Sequence, residues 1–332
     1  MSISRKTNAC LAAMLAALVA PAAHANSYTL EDLGHNVIPF DIDGSETVPA
    51  FRNDRAVVFR NGHWHALHFQ DHPGLAHAVN EHGDIVGNQG SAPILWTGSG
   101  HRRVLALPGS AQAGSGMDIS DDGTTVGHFN LPEDIFHTHC FRTLADGTST
   151  DLGLLARGNT CSAHGINGGG EIVGEANVVP DGPVHAFLWR DGAQQDLGTL
   201  GAGDMAIALG INDKGQVVGR SNVAPGGAGH AFVWKRGVMK DLGRSPDFSE
   251  TSANAINARS EIVGDGVRVD DGGFRAVRFD AGRVVALEDE VADLGDWILI
   301  SASSVNDDGV IVGEAVRLGD GQVHGFLLRP VP

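Results

Sequence analysis

Two insertions in the sequence concentrate the residue types that acid–base catalysis uses. "HFNLPEDIFHTHC" begins at His128 and "LLARGNTCSAH" ends at His164, so each supplies histidines together with a carboxylic acid or an arginine. In a glycan-active hydrolase or lyase, a histidine would act as the base, an acid would donate a proton and an arginine would stabilise negative charge. The candidates for these roles are His137 or His164 as the base, Glu133 as the acid and Arg157 as the electrostatic clamp.

The same insertions, together with "EDEVADLGDWILIS" from Glu288, also suit a non-catalytic binding surface. Binding residues are often carried on loops of variable length that a rigid scaffold positions. His128, Asp134 and Trp297 are the candidate ligand contacts. The sequence contains no nucleophile elbow, phosphate-binding loop or metalloprotease helix motif. Binding and catalysis therefore both stay open, with a glycan or a protein outside the cytoplasm as the ligand.

One acidic turn, "DIDGSE" from Asp41 to Glu46, contains part of a calcium-loop pattern. It lacks the full alternation of oxygen ligands that ends in a bidentate glutamate. "HTHC", from His137 to Cys140, has no second cluster at ligand spacing. We therefore expect no metal and no cofactor, and Asp41 and Asp43 are the candidates if one ion is bound.

The first 25 residues have the composition of a secretory signal peptide. Arg5 and Lys6 precede an apolar run over residues 9–20, and small residues occupy positions 23 and 25. The run is shorter than the roughly 20 residues that a membrane-spanning helix needs. The sequence therefore predicts export to the periplasm, the cell surface or the medium, one mature domain over residues 26–332, and no membrane span.

The predicted mature chain keeps two cysteines, Cys140 and Cys161. In an exported protein two cysteines favour one disulfide. The chain contains a repeat of about 45 residues, and the two cysteines are expected at the same face of two adjacent repeat units. We therefore predict that they are joined. Two free buried thiols, or a metal or redox role, are the alternatives.

The formal net charge of −17 bears on the possible partners. A surface of this charge repels the phosphates of nucleic acids and of anionic lipids. We therefore expect no nucleic-acid partner.

A motif of about eight residues recurs through the chain and explains its high glycine content. "NDKGQVVG" at Asn212–Gly219 has near-copies that begin at Asn80, Ser120, Asn167, Asn257 and Asn306, and a weaker first copy begins at Asp41. Seven copies at intervals of about 45 residues are typical of a propeller or a solenoid. Each motif reads as a β-hairpin whose turn uses Asn or Asp to bind its own backbone and Gly for positive φ.

A second recurring half completes each unit. "HAFLWRDGAQQDLG" from His185 reads as another hairpin, so each unit has four strands. Small residues flank the first strand, as expected where the innermost strands of a propeller converge on the axis. "YTLEDLG", from Tyr28 to Gly34, matches a fourth strand, and "HGFLLRP", from His324, matches a third. The sequence therefore predicts an all-β, seven-bladed β-propeller that is closed by the N-terminal strand completing the last blade.

Histidines recur at the start of the predicted third strand in four units. We expect them to make one repeated structural hydrogen bond to a neighbouring backbone, because a polar residue repeated at one position is what repeated packing requires. They are His139, His185, His230 and His324.

The repeated tripeptide "HAF", with "DLGTLG" and "GINDKGQVVG", resembles the HAF-repeat family of exported bacterial proteins. The best copies span about residues 160–245, and degenerate copies extend over most of the predicted mature chain. The first unit lacks the histidine, and Arg275 replaces it in the sixth. The resemblance implies a repeat protein outside the cytoplasm and no particular activity. In four-stranded blades the loops that join strands two to three and four to one share one face, and because their lengths vary most here we call it the variable-loop face. A binding module that uses this face is our leading hypothesis, and a glycan-active enzyme with its site on the same face is the alternative.

Overall fold

The computed structural model describes residues 27–67, 73–132 and 134–331. In these ranges seven four-stranded antiparallel sheets follow one another around a ring, and each sheet is one blade of a β-propeller. The predicted fold class is confirmed. The predicted signal peptide, residues 1–25, and the candidate acid Glu133 lie outside the described residues.

The strands run through the blades in chain order, from the inner edge of each sheet to its outer edge. β1 (Tyr28–His35) belongs to blade seven. Blade one contains β2 (Val37–Pro39), β3 (Val48–Arg52), β4 (Arg55–Arg60) and β5 (His63–Ala66). Blade two contains β6 (Gly74–Val79), β7 (Ile85–Gln89), β8 (Ala92–Trp96) and β9 (Arg102–Val104). Blade three contains β10 (Ala113–Ile119), β11 (Thr125–Leu131), β12 (Asp134–Thr143) and β13 (Ser149–Asp151).

The remaining blades follow the same pattern. Blade four contains β14 (Cys161–Ile166), β15 (Ile172–Asn177), β16 (Val184–Arg190) and β17 (Ala193–Gly198). Blade five contains β18 (Ala206–Ile211), β19 (Val217–Asn222), β20 (Gly229–Lys235) and β21 (Val238–Asp241). Blade six contains β22 (Phe248–Ile256), β23 (Ile262–Arg268), β24 (Phe274–Asp280) and β25 (Arg283–Ala286), followed by a 3₁₀ turn at Leu287–Glu290. Blade seven contains β26 (Trp297–Val305), β27 (Ile311–Arg317) and β28 (Gln322–Pro330).

The N-terminal strand closes the ring, as the sequence predicts. β1 pairs antiparallel with β28 from Tyr28–Pro330 to His35–His324. β2 of blade one then packs against β27 and β28. Hydrogen bonding thus covers the outer edge of β28, which would otherwise be an unpaired strand edge.

The glycine that ends each hairpin motif is required by close packing within the blade. A Cβ atom on Gly174 would collide with the carbonyl oxygen of Ser162 on the inner strand. The equivalent glycines face the same obstruction from the inner strand of their own blade. They are Gly87, Gly127, Gly219, Gly264 and Gly313.

The asparagine of the motif links each blade to the next one. The Asn212 side chain is buried, and its Oδ1 accepts hydrogen bonds from the backbone N–H groups of Lys214 and Gln216 in its own turn. Its Nδ2 donates to the carbonyl oxygen of Asn257 in blade six at 3.0 Å. The same bond to the next blade, at 2.8–3.2 Å, is made by Asn80, Asn167, Asn257 and Asn306.

Two blades have no asparagine at this position, and an aspartate nearby makes the link instead. Asp41 of blade one accepts a hydrogen bond from the Val79 N–H of blade two at 3.0 Å. Asp118 of blade three accepts one from the Ile166 N–H of blade four at 2.8 Å. Every junction around the ring therefore carries a hydrogen bond between a side chain of one blade and the backbone of the next, near the axis.

The recurring histidines bind carboxylates, not the backbone that we expected. His185 Nδ1 lies 2.9 Å from Asp196 of the "DLG" sequence on the neighbouring strand. Asp196 also accepts a hydrogen bond from the Gly198 N–H, which fixes the turn after the strand. The same pairs form between His139 and Asp151, His230 and Asp241, and His324 and Asp32.

The predicted disulfide is present. Cys140 and Cys161 are bonded, their Cα atoms are 5.2 Å apart, and both side chains are buried. The bond joins β12 of blade three to β14 of blade four. It adds a covalent link at one of the two junctions that lack the asparagine.

Asp43 offers a test of the asparagine links. Its Oδ1 accepts from Ser45 N and Thr47 N as an asparagine Oδ1 would, but its Oδ2 is buried without a hydrogen-bond partner. We expect Asp43→Asn to stabilise the protein by about 0.5–1.5 kcal/mol, because the new N–H₂ can donate to the carbonyl of Asn80. The reverse change Asn212→Asp should destabilise by about 1–3 kcal/mol. Urea midpoints would measure both, and equal midpoints for the two variants would contradict this role.

Candidate functional site

A cavity of about 370 Å³ lies on the ring axis. It is bounded by the inner strands and the first hairpin turns of all seven blades, so it opens at the face opposite the predicted variable-loop face. In six blades a β-bulge in the inner strand turns one extra residue toward the axis. These residues are His77, Met117, His164, Leu209, Asn254 and Ser303.

The charged residues that line this cavity are all acidic. Its lining contains Asp41, Asp118 and four carboxylates at the mouth, and it contains no lysine or arginine. The mouth carboxylates are not free, because each accepts a hydrogen bond from a backbone N–H in the preceding blade. They are Glu81, Asp121, Asp213 and Asp307.

Burial dominates the titration of the two inner aspartates. The pKa of Asp118 is raised to about 7, mainly by burial and further by the neighbouring charge of Asp41, against the opposing effect of the hydrogen bonds from Ile166 and Ile119. Burial also raises the pKa of Asp41. These two carboxylates link blades at the cost of being charged away from water.

The candidate base His164 lies on the cavity wall, in the bulge of β14. Its Nε2 is 3.6 Å from a carboxylate oxygen of Glu175 on the neighbouring strand. His128, another candidate, lies close by on β11, with its Nδ1 3.4 Å from Ser162 Oγ. Burial lowers the pKa of His128, and the nearby His164 lowers it further. His164 and His128 are thus parts of a half-buried polar layer beside the inner strands.

The opposite side of this layer is acidic. Asp265 accepts hydrogen bonds from Asn254 at 2.8 Å and from Ser301 at 3.3 Å. Burial raises the pKa of Asp265, and it also raises the pKa of Glu314, where the charge of Asp265 adds to the shift. Arg220 pairs instead with Glu250 at 3.3 Å.

The insertion that contains His137 folds as an extended hairpin and not as a loop. β11 and β12 pair as far as Leu131 and Asp134, so the third strand starts five residues before His139. His137 Nδ1 lies 2.8 Å from Asp134, and its Nε2 lies 3.3 Å from Asp181 of blade four. Hydrogen bonding to Asp134, and then to Asp181, raises the pKa of His137.

Arg157 is exposed in the connection between blades three and four, and its backbone N–H donates to the Val178 carbonyl of the blade-four loop. Asn159 of the same connection binds Asp181, which also contacts His137. Trp297 lies in blade seven, where its ring contacts the His324 ring and lies under the Arg317 guanidinium, 5.2 Å from the ring centre. Blades one and two separate it from blade three in one direction, and three blades do so in the other. Among the described candidates, His137 and Asp134 form one pair and His128 and His164 another, while Trp297 lies apart from both in blade seven.

The loop face has a feature that the sequence analysis missed. Within the described residues, eight of the eleven exposed large hydrophobic side chains lie on the loops between the second and third strands of blades three to seven, or on the strand ends beside them. Phe136 is the most exposed, at 87%. We call these five loops, with the fourth-to-first connections between the same blades, the crown. Its exposed apolar residues are Ile135, Phe136, Val179, Val223, Val269, Phe274, Leu318 and Val323.

The residues that we named for an ion have other partners. Asp41 binds Val79 N and Ser304 Oγ, and Asp43 binds its own turn. Among the described residues, no group of three or more His, Cys, Asp or Glu side chains is arranged to hold a metal ion.

Comparison with family models finds no match, and comparison with curated proteins finds none. Solved structures with similar folds include virginiamycin B lyase from Staphylococcus aureus, with a TM-score of 0.56 and 10% identity over 90% of this chain and 99% of that one. A streptogramin B lyase has a TM-score of 0.55 and 12% identity over 92% of this chain and 98% of that one. A puromycin-hydrolyzing peptidase of Mycobacterium tuberculosis has a TM-score of 0.55 and 14% identity over 91% of this chain and 53% of that one. At these identities the likeness supports the propeller fold alone. In the part of the chain that the structure describes, no helix is long and apolar enough to cross a membrane.

The raised pKa of Asp118 predicts a pH-dependent stability. The folded-state pKa lies above the ordinary value, so the unfolded state loses this proton first, and stability falls as pH rises from about 4 to about 7. We expect the stability of Asp118→Asn relative to the parent protein to improve over this range, by on the order of 2–4 kcal/mol.

Asp122→Asn is the matched control for this measurement. A hydrogen bond from Ser120 lowers the pKa of Asp122, so its ionised form is favoured in the folded protein. The Asp122→Asn variant should therefore lose stability relative to the parent as pH rises. Urea midpoints at pH 4, 6 and 8 would measure the trend for Asp118→Asn, and midpoints below about pH 4 would measure the opposite trend for Asp122→Asn, because its lowered pKa places the change there. Parallel pH profiles for Asp118→Asn and the parent would contradict the assignment.

Proposed function

We propose that the protein is an exported β-propeller that binds a protein partner through the crown and does not catalyse a reaction. The observation that carries this proposal is the concentration of exposed apolar side chains on five consecutive loops. Exposed apolar surface of this kind is typical of interaction sites, because leaving it in water has a free-energy cost that docking removes.

The two faces of the propeller differ in a way that supports the loop face as the binding face. On the opposite face, the first hairpin turns are joined to one another, since Asn side chains and mouth carboxylates are bonded to the neighbouring backbones. On the loop face the apolar tips of the crown point away from the cores of the blades. On the loop face the backbones of the crown loops are also bonded to the neighbouring connections, as Leu318 N is to Asp296 O, so the scaffold holds the apolar side chains in place and leaves them exposed to a partner.

The arrangement of the candidate catalytic groups favours binding over the glycan-active alternative. His164 lies on the axial wall, while His137 is joined to Asp134 and Asp181 at the crown and Arg157 is exposed. A general base, an acid and a charge-stabilising group must converge within hydrogen-bond reach of one reacting bond. Export and the likeness to HAF-repeat proteins are part of this proposal and rest on the sequence patterns described above.

Site-specific photo-crosslinking tests the proposal. A photoreactive amino acid at Phe136, Phe274 or Leu318 should form a discrete cross-link in the exported fraction, whereas the same group at Val104 or Val238, which are exposed outside the crown, should not. The partner captured by the cross-link, once purified, should bind the parent chain. Its affinity for the Phe136→Ser/Leu318→Ser variant should be at least about tenfold lower.

Two results would contradict this function. One is an equal cross-linking yield at crown and control positions. The other is release of reducing ends from a glycan panel that is abolished by His164→Ala in a folded variant, since this would establish the enzymatic alternative.

A further inference from the structure

We propose that the partner presents a cationic amphipathic segment to the crown, with aliphatic or aromatic side chains interspersed with lysine or arginine. This inference rests on the proposed function and adds the chemistry of the partner. It follows from the charges that surround the apolar tips.

The crown places a carboxylate beside its apolar residues in four of its five loops between second and third strands. Asp134 is next to Ile135, and Asp181 is two residues after Val179. Asp270 follows Val269, and Asp320 lies two residues after Leu318. Further crown aspartates lie in the connections between these blades, at Asp204, Asp247, Asp289 and Asp296.

Most of the arginines of the crown are neutralised by their neighbours. Arg275 is only 12% exposed, with Asp271 at 2.6 Å and Glu288 at 3.3 Å. Arg268 is near Asp270 and Glu288, and Arg317 pairs with Asp296 at 3.4 Å. The exposed arginines in the connections are Arg157 and Arg244.

Several crown carboxylates remain largely exposed to solvent. The side chain of Asp181 is 80% exposed although it pairs with His137, and that of Asp270 is 74% exposed although Arg268 lies 3.9 Å away. Asp247 and Asp289 are exposed as well. The crown is therefore an apolar surface in a negative field, and a partner that is both apolar and positively charged complements it.

The same charges disfavour the other occupants of an apolar surface. A second copy of this chain would bring two acidic crowns together, and like charges at an interface oppose association. An anionic bilayer is repelled for the same reason. A glycan would be recognised mainly by aromatic and hydrogen-bonding groups, but six of the eight exposed apolar residues of the crown are aliphatic.

A peptide panel tests the charge requirement on the full chain. One amphipathic peptide would be made with lysine, with glutamine or with glutamate at its polar positions, and a fourth would scramble the lysine sequence. Fluorescence anisotropy would measure affinities at low and at high salt. We expect the lysine peptide to bind at least about tenfold more tightly than the glutamine peptide, and its affinity to fall as the salt concentration rises. The glutamate and scrambled peptides should bind least.

Matched variants locate the site. Asp247→Asn/Asp270→Asn/Asp289→Asn should weaken binding of the lysine peptide at least about tenfold and flatten its salt dependence, since three crown charges are removed. Asp146→Asn/Asp191→Asn/Asp308→Asn removes three exposed charges from the opposite face and should leave binding unchanged. Phe136→Ser/Leu318→Ser should abolish most of the binding, whereas Val104→Ser/Val238→Ser should not.

The outcomes separate this inference from the function on which it rests. Equal binding of the lysine and glutamine peptides, with loss in the Phe136→Ser/Leu318→Ser variant, would overturn the charge requirement and leave the crown as a docking site. Crown-dependent binding to phosphatidylcholine vesicles, or crown-dependent dimerisation, would overturn the cationic partner in favour of a membrane or a second copy. Lysine-peptide binding that is unaffected by any crown variant would overturn the crown as the site.

Discussion

The hydrogen bond from a buried side chain to the backbone of the next blade is the interaction on which the ring depends. Apolar packing between the sheets favours stacking of the blades, but because it is non-directional it does not fix one lateral position of a blade against its neighbour. The Asn212 amide satisfies its own turn through Oδ1 and the Asn257 carbonyl through Nδ2, so one side chain fixes both a hairpin and a junction. A buried polar group of this kind strongly disfavours any displacement that leaves it unpaired.

The two blades that lack the asparagine show how strict this requirement is. Asp41 and Asp118 reach the backbone of the next blade from a different position of the inner strand, and both have a raised pKa because they are buried. The disulfide between Cys140 and Cys161 reinforces one of these two junctions. The acidity of the axial cavity thus arises at least in part from how the ring is held together, and this is a reason to place binding at the crown instead.

Most of the fold could be predicted from the repeat, because few architectures accommodate seven copies of the same turn residues with small residues on one strand. The unmatched fourth-strand sequence at Tyr28–Gly34 indicated how the ring closes. The pairing of Cys140 with Cys161 followed from their places in adjacent units. The role of Asn212 toward blade six was not readable, because nothing in a local hairpin signature tells which carbonyl of a neighbouring blade the free amide will meet.

The candidate site was harder to predict, for the same kind of reason. Sequence spacing placed His137, His164 and Trp297 near one face, but which direction a side chain points depends on bulges and on hairpin length. The bulge in β14 turns His164 to the axis, and the long β11–β12 hairpin carries His137 outward. Exposed tips such as Phe136 and Leu318 are ordinary apolar residues in the sequence, and only their shared position on consecutive loops distinguishes them.

The pairing of β1 with β28 also determines how the molecule would be presented if it were attached to something. Ser27 and Val331 are joined by a backbone hydrogen bond of 2.8 Å, and Pro330 lies against the hairpin turn at Gly309, on the face away from the crown. Any tether or fused segment at either of these two points would leave the propeller at one place on its rim. The attached face would then lie toward the surface that holds the tether, and the crown would face away from it. The pairing of β1 with β28 alone determines this orientation.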